Sequence, residues 1–208
     1  FSVDIKSLVE MAHKMMSNKA DFSINLLQDH EEAMRESLKR GTSAGGARPK
    51  AVIAYNPKTG EVRSGQTTVP SGFEHWLIKL DGVSSAQFGT SQGFGRVEYA
   101  YYLMAKDCGI EMMECRLLEE NERAHFMTKR FDRDAGNIKH HIQTWCGLQH
   151  FDYNNLFGFS YEQLFQTMRL LRLTYPEAEQ MFRRMVFNVL ATNYDDHTKN
   201  FSFRLKQN

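Results

Sequence analysis

The chain has 208 residues, of which 41% are hydrophobic and 25% charged, and its 26 Lys and Arg residues nearly balance its 25 Asp and Glu residues. This composition is typical of a folded globular protein and excludes a disordered chain, a collagen and a disulfide-stapled miniprotein. A formal net charge of +1 argues against a protein that binds nucleic acid through its own basic surface. Without a long apolar run or a signal peptide, we expect a cytoplasmic protein that has no membrane segment.

The three cysteines are too widely spaced to form a CxxC pair, and their number is odd. Cys108, Cys115 and Cys146 therefore indicate neither a structural zinc site nor a disulfide framework, since both need paired cysteines. We expect all three to be buried thiols.

The first half of the chain mixes helical and strand patterns. Apolar residues at helical spacing predict amphipathic helices over 4–16 and 28–39, and Gly41 ends the second helix. Runs of β-branched and aromatic residues then predict strands over 51–55, 61–65 and 75–80, with the turn residues at 56–60 joining the first two as a hairpin. A polar, Gly-rich loop follows over 82–95.

Strand patterns continue to about residue 130, and from His140 onward the pattern is helical. We predict a helix over 97–105 that ends at Gly109, short strands over 111–117 and 125–130, and further helices over 142–148, over 161–173 and from Pro176 to Leu190. His140 and His141 are interpreted as polar residues at a helix start. The prediction is an α+β fold with a mixed sheet-and-helix part to about residue 130 and an all-helical part after it, with a ligand site where the two lobes meet.

The segment 41–50, between a helix and a strand, is rich in small residues. Gly45 and Gly46 let backbone N–H groups approach an anion, and Arg48 and Lys50 add positive charge. The segment indicates either a phosphate-binding loop or a flexible connector, and it contains no Walker motif.

A single lysine, Lys79, interrupts the apolar strand predicted over 75–80. A charged side chain in such a strand is costly without a partner. Nucleotide phosphates, or the carboxylate of Glu98 at the start of the next helix, would serve as that partner. A lysine that faces solvent from an edge strand is the simpler alternative, and the pattern alone slightly favours it.

The segment 193–203 concentrates charged and amide side chains directly after an apolar helix. Asp195 and Asn200 have the spacing of a kinase catalytic loop, in which a carboxylate faces the substrate hydroxyl and an amide oxygen binds a metal ion. A hydrolytic metal site made of Asp195, Asp196 and His197 is an alternative, although adjacent residues of a short loop rarely all face one ion. A polar turn with Asx capping is the third interpretation.

The charged run at 130–133 permits two interpretations. It is either an ion-paired turn or a hinge whose backbone groups meet an adenine ring, with Phe131 supplying apolar contact. The spacing of the residues does not decide between them.

Five segments carry a combined signal: GTSAGGARPKA at 41–51, WLIKL at 76–80, KRFDR at 129–133, HIQTWCGL at 141–148 and NYDDHTKNFSF at 193–203. In their order and from about residue 38 onward, they resemble the HipA family of bacterial toxin kinases. The resemblance implies a two-lobed fold similar to that of eukaryotic protein kinases. It also implies an enzyme that phosphorylates Ser or Thr with ATP and magnesium.

The resemblance further implies roles for residues at matching positions. Asp195 would be the catalytic base, Lys199 would lie near the transferred phosphate, and Asn200 would bind magnesium. The residues expected to bind ATP are Ser43, Gly45, Gly46 and Ala47 of the phosphate loop, Lys79 with its partner Glu98, and Lys129, Phe131 and Asp132 at the adenine and ribose. Ser43 would also be autophosphorylated, and its phosphate would then compete with the nucleotide.

The resemblance implies partners as well. The best-known family member acts on glutamyl-tRNA synthetase, so we expect a protein substrate such as an aminoacyl-tRNA synthetase. Family toxins are neutralised by a helix-turn-helix antitoxin that binds operator DNA. The near-neutral charge of this chain fits DNA contact only through such a partner.

Two departures from the family pattern predict a fragment. The sequence opens at Phe1, without room for the family's small N-terminal subdomain, and ends at Asn208, before the Asp-Leu pair that supplies a second metal ligand. We expect an N-terminal helical segment (1–40), a kinase-like N-lobe (41–130) and an incomplete helical C-lobe (131–208). Such a fragment would bind magnesium-ATP weakly and transfer phosphate slowly or not at all. The alternatives are a non-catalytic kinase-like binding module, an inactive kinase fragment and a metal-dependent hydrolase.

Overall fold

A computed structural model describes residues 2–17, 38, 48–65, 68–83, 92–134, 137–152, 155 and 158–205. The chain divides into two compact units. The first comprises Phe1–Tyr102 and Met113–Ile138, and the second comprises Leu103–Met112 and Lys139–Asn208. Each unit combines helices with antiparallel strands, so the chain is α+β as predicted. The region boundaries predicted at residues 40 and 130 stay predictions.

Helix α1 (Ile5–Ser17) confirms the first predicted helix. It starts after Asp4, whose carboxylate accepts hydrogen bonds from the backbone N–H and the hydroxyl of Ser7, at 2.9 and 2.8 Å. The backbone hydrogen bond from Ser7 is the main reason that the pKa of Asp4 lies below its usual value. The apolar face of α1 is buried in one core with side chains of the sheet: Leu8, Val9, Ala12, Ile53, Trp76 and Ile78.

The described strands of the first unit form a five-stranded antiparallel sheet in the order β2-β1-β3-β5-β4. They are β1 (Lys50–Tyr55), β2 (Val62–Ser64), β3 (Glu74–Lys79), β4 (Cys115–Glu120) and β5 (Arg123–Lys129). Strands β1 and β2 form the predicted hairpin, with Tyr55 opposite Val62. Because β3 lies between β1 and β5, its residues do not belong to an edge strand.

Strand β4 lies further along the chain than the predicted range 111–117, and β5 starts earlier than predicted. The reason is the turn between them, where Asn121 and Glu122 adopt positive φ angles of 44° and 64°. Such angles are typical of a two-residue hairpin turn, which here places Glu120 opposite Arg123. Acidic residues at the end of β4 are atypical of strands, and they obscured this boundary in the sequence pattern.

Helix α2 (Phe94–Asp107) confirms the helix predicted over 97–105. After its last turn, Gly109 has a φ of 71°, a left-handed conformation that favours glycine at a helix end. In its first turn, Gly95 lies so close to β5 that a Cβ atom there would overlap the carbonyl oxygen of Ala124. The helix therefore packs directly on the backbone of the sheet.

The second unit is not all-helical, contrary to the prediction. Strands β6 (Ile142–Thr144) and β7 (Ser202–Arg204) pair antiparallel, and His140 and His141 therefore precede a strand rather than begin a helix. Helix α3 (Trp145–Gln149) starts only after Thr144, whose side chain accepts a 3.0 Å hydrogen bond from the N–H of Gly147. The partner of β6 lies far along the chain, at Ser202–Arg204, and local periodicity cannot indicate a pairing between such distant residues.

Helices α4 (Tyr161–Leu170) and α5 (Tyr175–Leu190) confirm the two long helices predicted for this unit. Ser160 and Gln163 form a capping box at the start of α4, and Pro176 lies in the first turn of α5. Part of the apolar stripe of α5 packs on the core around Trp145. The end of the stripe lies on the surface, since Val189 and Leu190 are 67% and 78% exposed.

Some predicted elements lie outside the described residues. They are the helix over 28–39, except Leu38, which is helical and buried in the core of the first unit, and most of the loop over 82–95. None of the helices that are described is both long and apolar enough to cross a membrane.

The cysteines differ in their surroundings. Cys115 and Cys146 are buried as predicted, whereas Cys108 is exposed, which corrects the prediction of three buried thiols. Cys108 follows the last residue of α2, where the chain turns at Gly109.

Candidate functional site

Two predicted site residues of the first unit form an ion pair. Lys79 is the last residue of β3, and Glu98 lies on α2. The ammonium of Lys79 contacts Oε2 of Glu98, and the two side chains are 31% and 25% exposed. The structure therefore contains the carboxylate partner on the following helix. The slightly favoured alternative, a lysine that faces solvent from an edge strand, is wrong, because β3 is a central strand and Lys79 is paired. The partial exposure leaves the pair accessible to a ligand.

A second cation shares the carboxylate of Glu98. Nη1 of Arg48 lies 3.2 Å from Oε1 of Glu98, and the Arg48 guanidinium carbon lies 3.8 Å from the centroid of the Phe94 ring. Two cations around one carboxylate leave a local excess of positive charge, which suits an anionic ligand. Arg48 directly follows the predicted loop residues Ser43, Gly45, Gly46 and Ala47, which lie outside the described residues.

The segment around Asp132 is an ion-paired turn. Arg130 donates to both carboxylate oxygens of Asp132, at 2.8 and 2.6 Å, and Nη1 of Arg133 lies 2.5 Å from Oδ2. Burial alone would raise the pKa of Asp132, but the hydrogen bond and charge of Arg130, together with the charge of Arg133, hold it below its usual value. The carboxylate is ionised and paired, so a ribose hydroxyl would have to share it with the arginines.

The other two residues predicted at the adenine have different surroundings. Lys129, at the end of β5, pairs with Glu74 of β3 at an Nζ–Oε1 distance of 2.5 Å. The next residue, Arg130, also bonds to β3, since its backbone N–H donates a 2.9 Å hydrogen bond to the carbonyl of His75. Phe131, at 46% exposure, offers an apolar ring at the surface. The ammonium of Lys129 is therefore paired within the sheet. Of these two residues, Phe131 is the one that could contact a base.

The loop between α5 and β7 carries the residues predicted for catalysis in the second unit. Asp195 is exposed, and its Oδ1 lies 3.5 Å from Nε2 of His197. Nδ1 of His197 accepts a 3.3 Å hydrogen bond from the backbone N–H of Lys199 at the 3-10 turn Thr198–Asn200. With Nδ1 as an acceptor, the proton of the neutral imidazole sits on Nε2, beside Asp195.

Asn200 closes this loop onto Asp195. Its amide nitrogen donates a hydrogen bond to the backbone carbonyl of Asp195. The amide oxygen of Asn200 is therefore the atom that could bind a cation, and hard cations such as magnesium prefer oxygen ligands. The structure thus brings the predicted base and the predicted metal ligand together.

Asp196 instead contacts helix α4 of the second unit. Its Oδ2 accepts a 2.7 Å hydrogen bond from the hydroxyl of Tyr161, the first residue of α4. The hydroxyl oxygen accepts a 2.9 Å hydrogen bond from Asn188 of α5, which in turn accepts one of 2.9 Å from Asn193. Tyr161 and Asn188 are not among the residues predicted from the sequence. No local pattern marks them, because their contacts join residues far apart in the chain.

The contact of Asp196 with Tyr161 also argues against one alternative for the loop, the hydrolytic metal site. The hydrolytic metal site considered for Asp195, Asp196 and His197 would need their side chains to face one ion, whereas Asp196 binds Tyr161. Within the described ranges, no three His, Cys, Asp or Glu side chains come together as a metal site.

The fold is similar to that of a solved toxin–antitoxin protein. A chain in the complex of the Shewanella oneidensis MR-1 toxin–antitoxin system HipA, HipB and its operator DNA matches 98% of this chain with a TM-score of 0.66 and 17% sequence identity. At this identity the similarity concerns the fold alone. The match covers 46% of that solved chain, so the present chain spans about half the length of its relative. No sequence among curated proteins matches this chain.

A sequence family also matches most of the chain. The family model of the HipA-like C-terminal domain matches residues 42–208. This range contains every residue predicted for the site, from Ser43 to Asn200. The chain therefore belongs to the family of HipA-like C-terminal domains.

Proposed function

We propose that this chain is the core of an ATP-dependent serine/threonine protein kinase of the HipA type, with a two-lobed protein-kinase-like fold. The observation that carries the proposal is the ion pair between Lys79 on a central strand and Glu98 on the following helix. In protein kinases, a strand lysine held by a helix glutamate binds the nucleotide phosphates. Membership of the HipA-like family supports the same assignment.

The first unit would bind the nucleotide. Glu98 would hold Lys79 and Arg48 in place, and both cations would donate charge-assisted hydrogen bonds to phosphate oxygens. The loop residues Ser43, Gly45, Gly46 and Ala47 would cover the phosphates, with Ser43 as the site of autophosphorylation. Phe131 would contact the adenine, with Lys129 and Asp132 beside it at the base and ribose.

The second unit would perform the proton transfer. ATP would supply the phosphoryl group, and magnesium would neutralise the charge that develops during its transfer. Asp195 would accept the proton of a substrate Ser or Thr hydroxyl as the new O–P bond forms and the bond to ADP breaks. The 84% exposure of the Asp195 side chain supports this role, because a protein substrate must reach it. Asn200 would hold magnesium through its amide oxygen, and Lys199 would stabilise the transferred phosphate.

Partners belong to the same proposal. The solved relative is part of a complex with HipB and operator DNA, which supports a helix-turn-helix antitoxin as a partner of this chain and DNA contact through that partner. The substrate would be a protein with an accessible Ser or Thr, such as an aminoacyl-tRNA synthetase.

Two measurements test the proposal on the longest natural chain that contains these residues. Calorimetric titration with magnesium-ATP should show binding that Lys79→Met weakens about tenfold or more, which is the loss of one charge-assisted contact. Transfer of radiolabelled phosphate should fall about a hundredfold or more in Asp195→Asn, because a general base is lost. The control is Asp107→Asn, which removes an exposed carboxylate from the unit that contains Asp195.

The outcomes separate the proposal from its alternative. Equal transfer by the unaltered chain and by Asp195→Asn would reject Asp195 as the base. Binding of magnesium-ATP without any transfer would favour the non-catalytic kinase-like binding module.

A further inference from the structure

Tyr161 contacts two residues of the segment that carries Asp195 and Asn200. Its hydroxyl donates a 2.7 Å hydrogen bond to Oδ2 of Asp196, and its ring packs edge-on against the ring of Phe201, with centroids 5.7 Å apart. Asp196 directly follows Asp195, and Phe201 directly follows Asn200. One aromatic side chain therefore spans the segment whose two functional ends must keep their spacing.

The Tyr161 hydroxyl is itself held in place. The side-chain amide of Asn188 donates a 2.9 Å hydrogen bond to it, and the amide of Asn193 donates a 2.9 Å hydrogen bond to the Asn188 oxygen. The hydrogen bonds thus run from Asn193 through Asn188 and Tyr161 to Asp196, and they begin and end in the same loop. Because every group has a defined donor or acceptor role, the network favours one loop conformation over others.

Tyr161 remains a donor at physiological pH. Burial is the main reason that the pKa of Tyr161 rises to about 12, and the charge of Asp196 acts in the same direction. The phenol therefore keeps the proton that it shares with Asp196.

We propose that Tyr161 is a positioning residue, which keeps Asp195 and Asn200 in their reactive arrangement by donating its hydroxyl hydrogen to Asp196. In this role Asp196 is an acceptor that fixes the loop, and it takes no part in the chemistry. The predicted effect on phosphate transfer rests on the proposed kinase function. The predicted effect on the order of the loop does not.

The variant Tyr161→Phe tests the hydroxyl, because it keeps the ring that contacts Phe201. We expect kcat for phosphate transfer to fall about ten- to a hundredfold, since small displacements of reacting groups cost that much. The KM for ATP should change less than about twofold, because the proposed nucleotide-binding residues lie in the first unit. Tyr194→Phe removes an exposed phenol from the same loop and should leave both constants unchanged.

Substitutions of Asp196 separate hydrogen bonding from packing. Asp196→Asn keeps an oxygen acceptor for the phenol and should retain most of kcat, whereas Asp196→Leu should resemble Tyr161→Phe. The double variant of Tyr161→Phe and Asp196→Leu should be no slower than either single variant, because both remove the same interaction. A loss in Asp196→Asn as large as that in Asp196→Leu would overturn the role of the hydrogen bond.

Hydrogen exchange provides a measurement that does not depend on activity. The backbone amides of Lys199 and Asn200 donate to His197, at 3.3 and 2.8 Å. Tyr161→Phe should speed their exchange about fivefold or more, because loss of the network lowers the free energy of local opening. Unchanged exchange in Tyr161→Phe would overturn the proposal. Faster exchange in a chain that transfers no phosphate would retain the positioning role and reject the kinase function.

Discussion

Gly95 of α2 lies against the backbone of Ala124 in β5, with no room for a side chain between them. A Cβ atom at Gly95 would overlap the Ala124 carbonyl oxygen and lie 3.1 Å from the amide nitrogen of Phe126. Glu98 follows Gly95 by three residues and therefore lies on a similar face of the helix. The close approach of helix and strand thus brings the Glu98 carboxylate to Lys79.

Gly95→Ala should disturb both stability and the ion pair. Because strand backbone cannot move aside as a flexible side chain can, we expect a loss of about 1–3 kcal/mol in the free energy of unfolding. Magnesium-ATP binding should weaken as well, since α2 must shift away from β5. Urea unfolding and calorimetric titration measure the two effects. Val97→Ala, at a position that is 52% exposed in the same helix, is the control, and equal stability of the two variants would contradict the packing argument.

Glu98→Gln should affect activity far more than stability. Partly exposed ion pairs typically contribute about 0–1 kcal/mol, so the free energy of unfolding should change by less than about 1 kcal/mol. Lys79 loses the charged partner that orients it, and kcat/KM for ATP should fall about tenfold or more. Glu119→Gln, which removes the exposed partner of Arg96, is the matched control. A large loss of stability with unchanged kinetics would assign Glu98 a structural role.

The core of the second unit contains a buried hydrogen bond that can be tested separately. The indole N–H of Trp145 donates to the hydroxyl of Thr167 at 3.0 Å. Thr167→Val keeps the shape but leaves a buried donor without an acceptor, so we expect a loss of about 1–3 kcal/mol in unfolding free energy. Thr167→Ser keeps the acceptor and should lose less. Thermal and urea unfolding would contradict this expectation if the valine variant were the more stable of the two.

His125 makes the stability of the first unit depend on pH. Its ring is fully buried, and Nδ1 accepts a 2.9 Å hydrogen bond from the backbone N–H of Asp81, which requires a neutral ring with its proton on Nε2. Burial is the main reason that the pKa of His125 lies below its usual value, and Arg123 adds to the shift, while Glu120 and Asp81 oppose it. The unfolded chain therefore binds a proton at higher pH than the folded chain.

The direction of the pH effect follows from this difference. The contribution of His125 is fully present above about pH 6.5, the pKa of histidine in unfolded chains, and is lost as the pH falls below that value. His125→Gln should make the decline between about pH 7 and pH 5 less steep. Part of the decline should remain, because burial also lowers the pKa of His75. Urea unfolding at several pH values measures the slope, with the exposed His141→Gln as control; identical slopes for both variants would refute the assignment.

The candidate site combines contacts that the sequence predicts with contacts that no local pattern marks. Glu98 is one of the partners that the sequence allows for Lys79, and the structure contains this ion pair. The charged run at 130–133 permits an ion-paired turn or a hinge that contacts adenine. In the structure, Arg130 and Arg133 pair with Asp132, so the run forms the ion-paired turn. The sequence does not predict the contact of Tyr161 with Asp196. A tyrosine at the start of an amphipathic helix has the same pattern whether it packs in a core or binds a distant carboxylate.

The sequence by itself determined the elements whose cause is local. Helices α1, α2, α4 and α5 follow from apolar spacing and capping residues, and the β1-β2 hairpin follows from its turn residues. The tertiary structure alone decided the pairing of β6 with β7 and the hydrogen bond from Tyr161 to Asp196. The physical reason is that periodicity and capping involve neighbours along the chain, whereas strand pairing and buried hydrogen bonds depend on residues that only folding brings together.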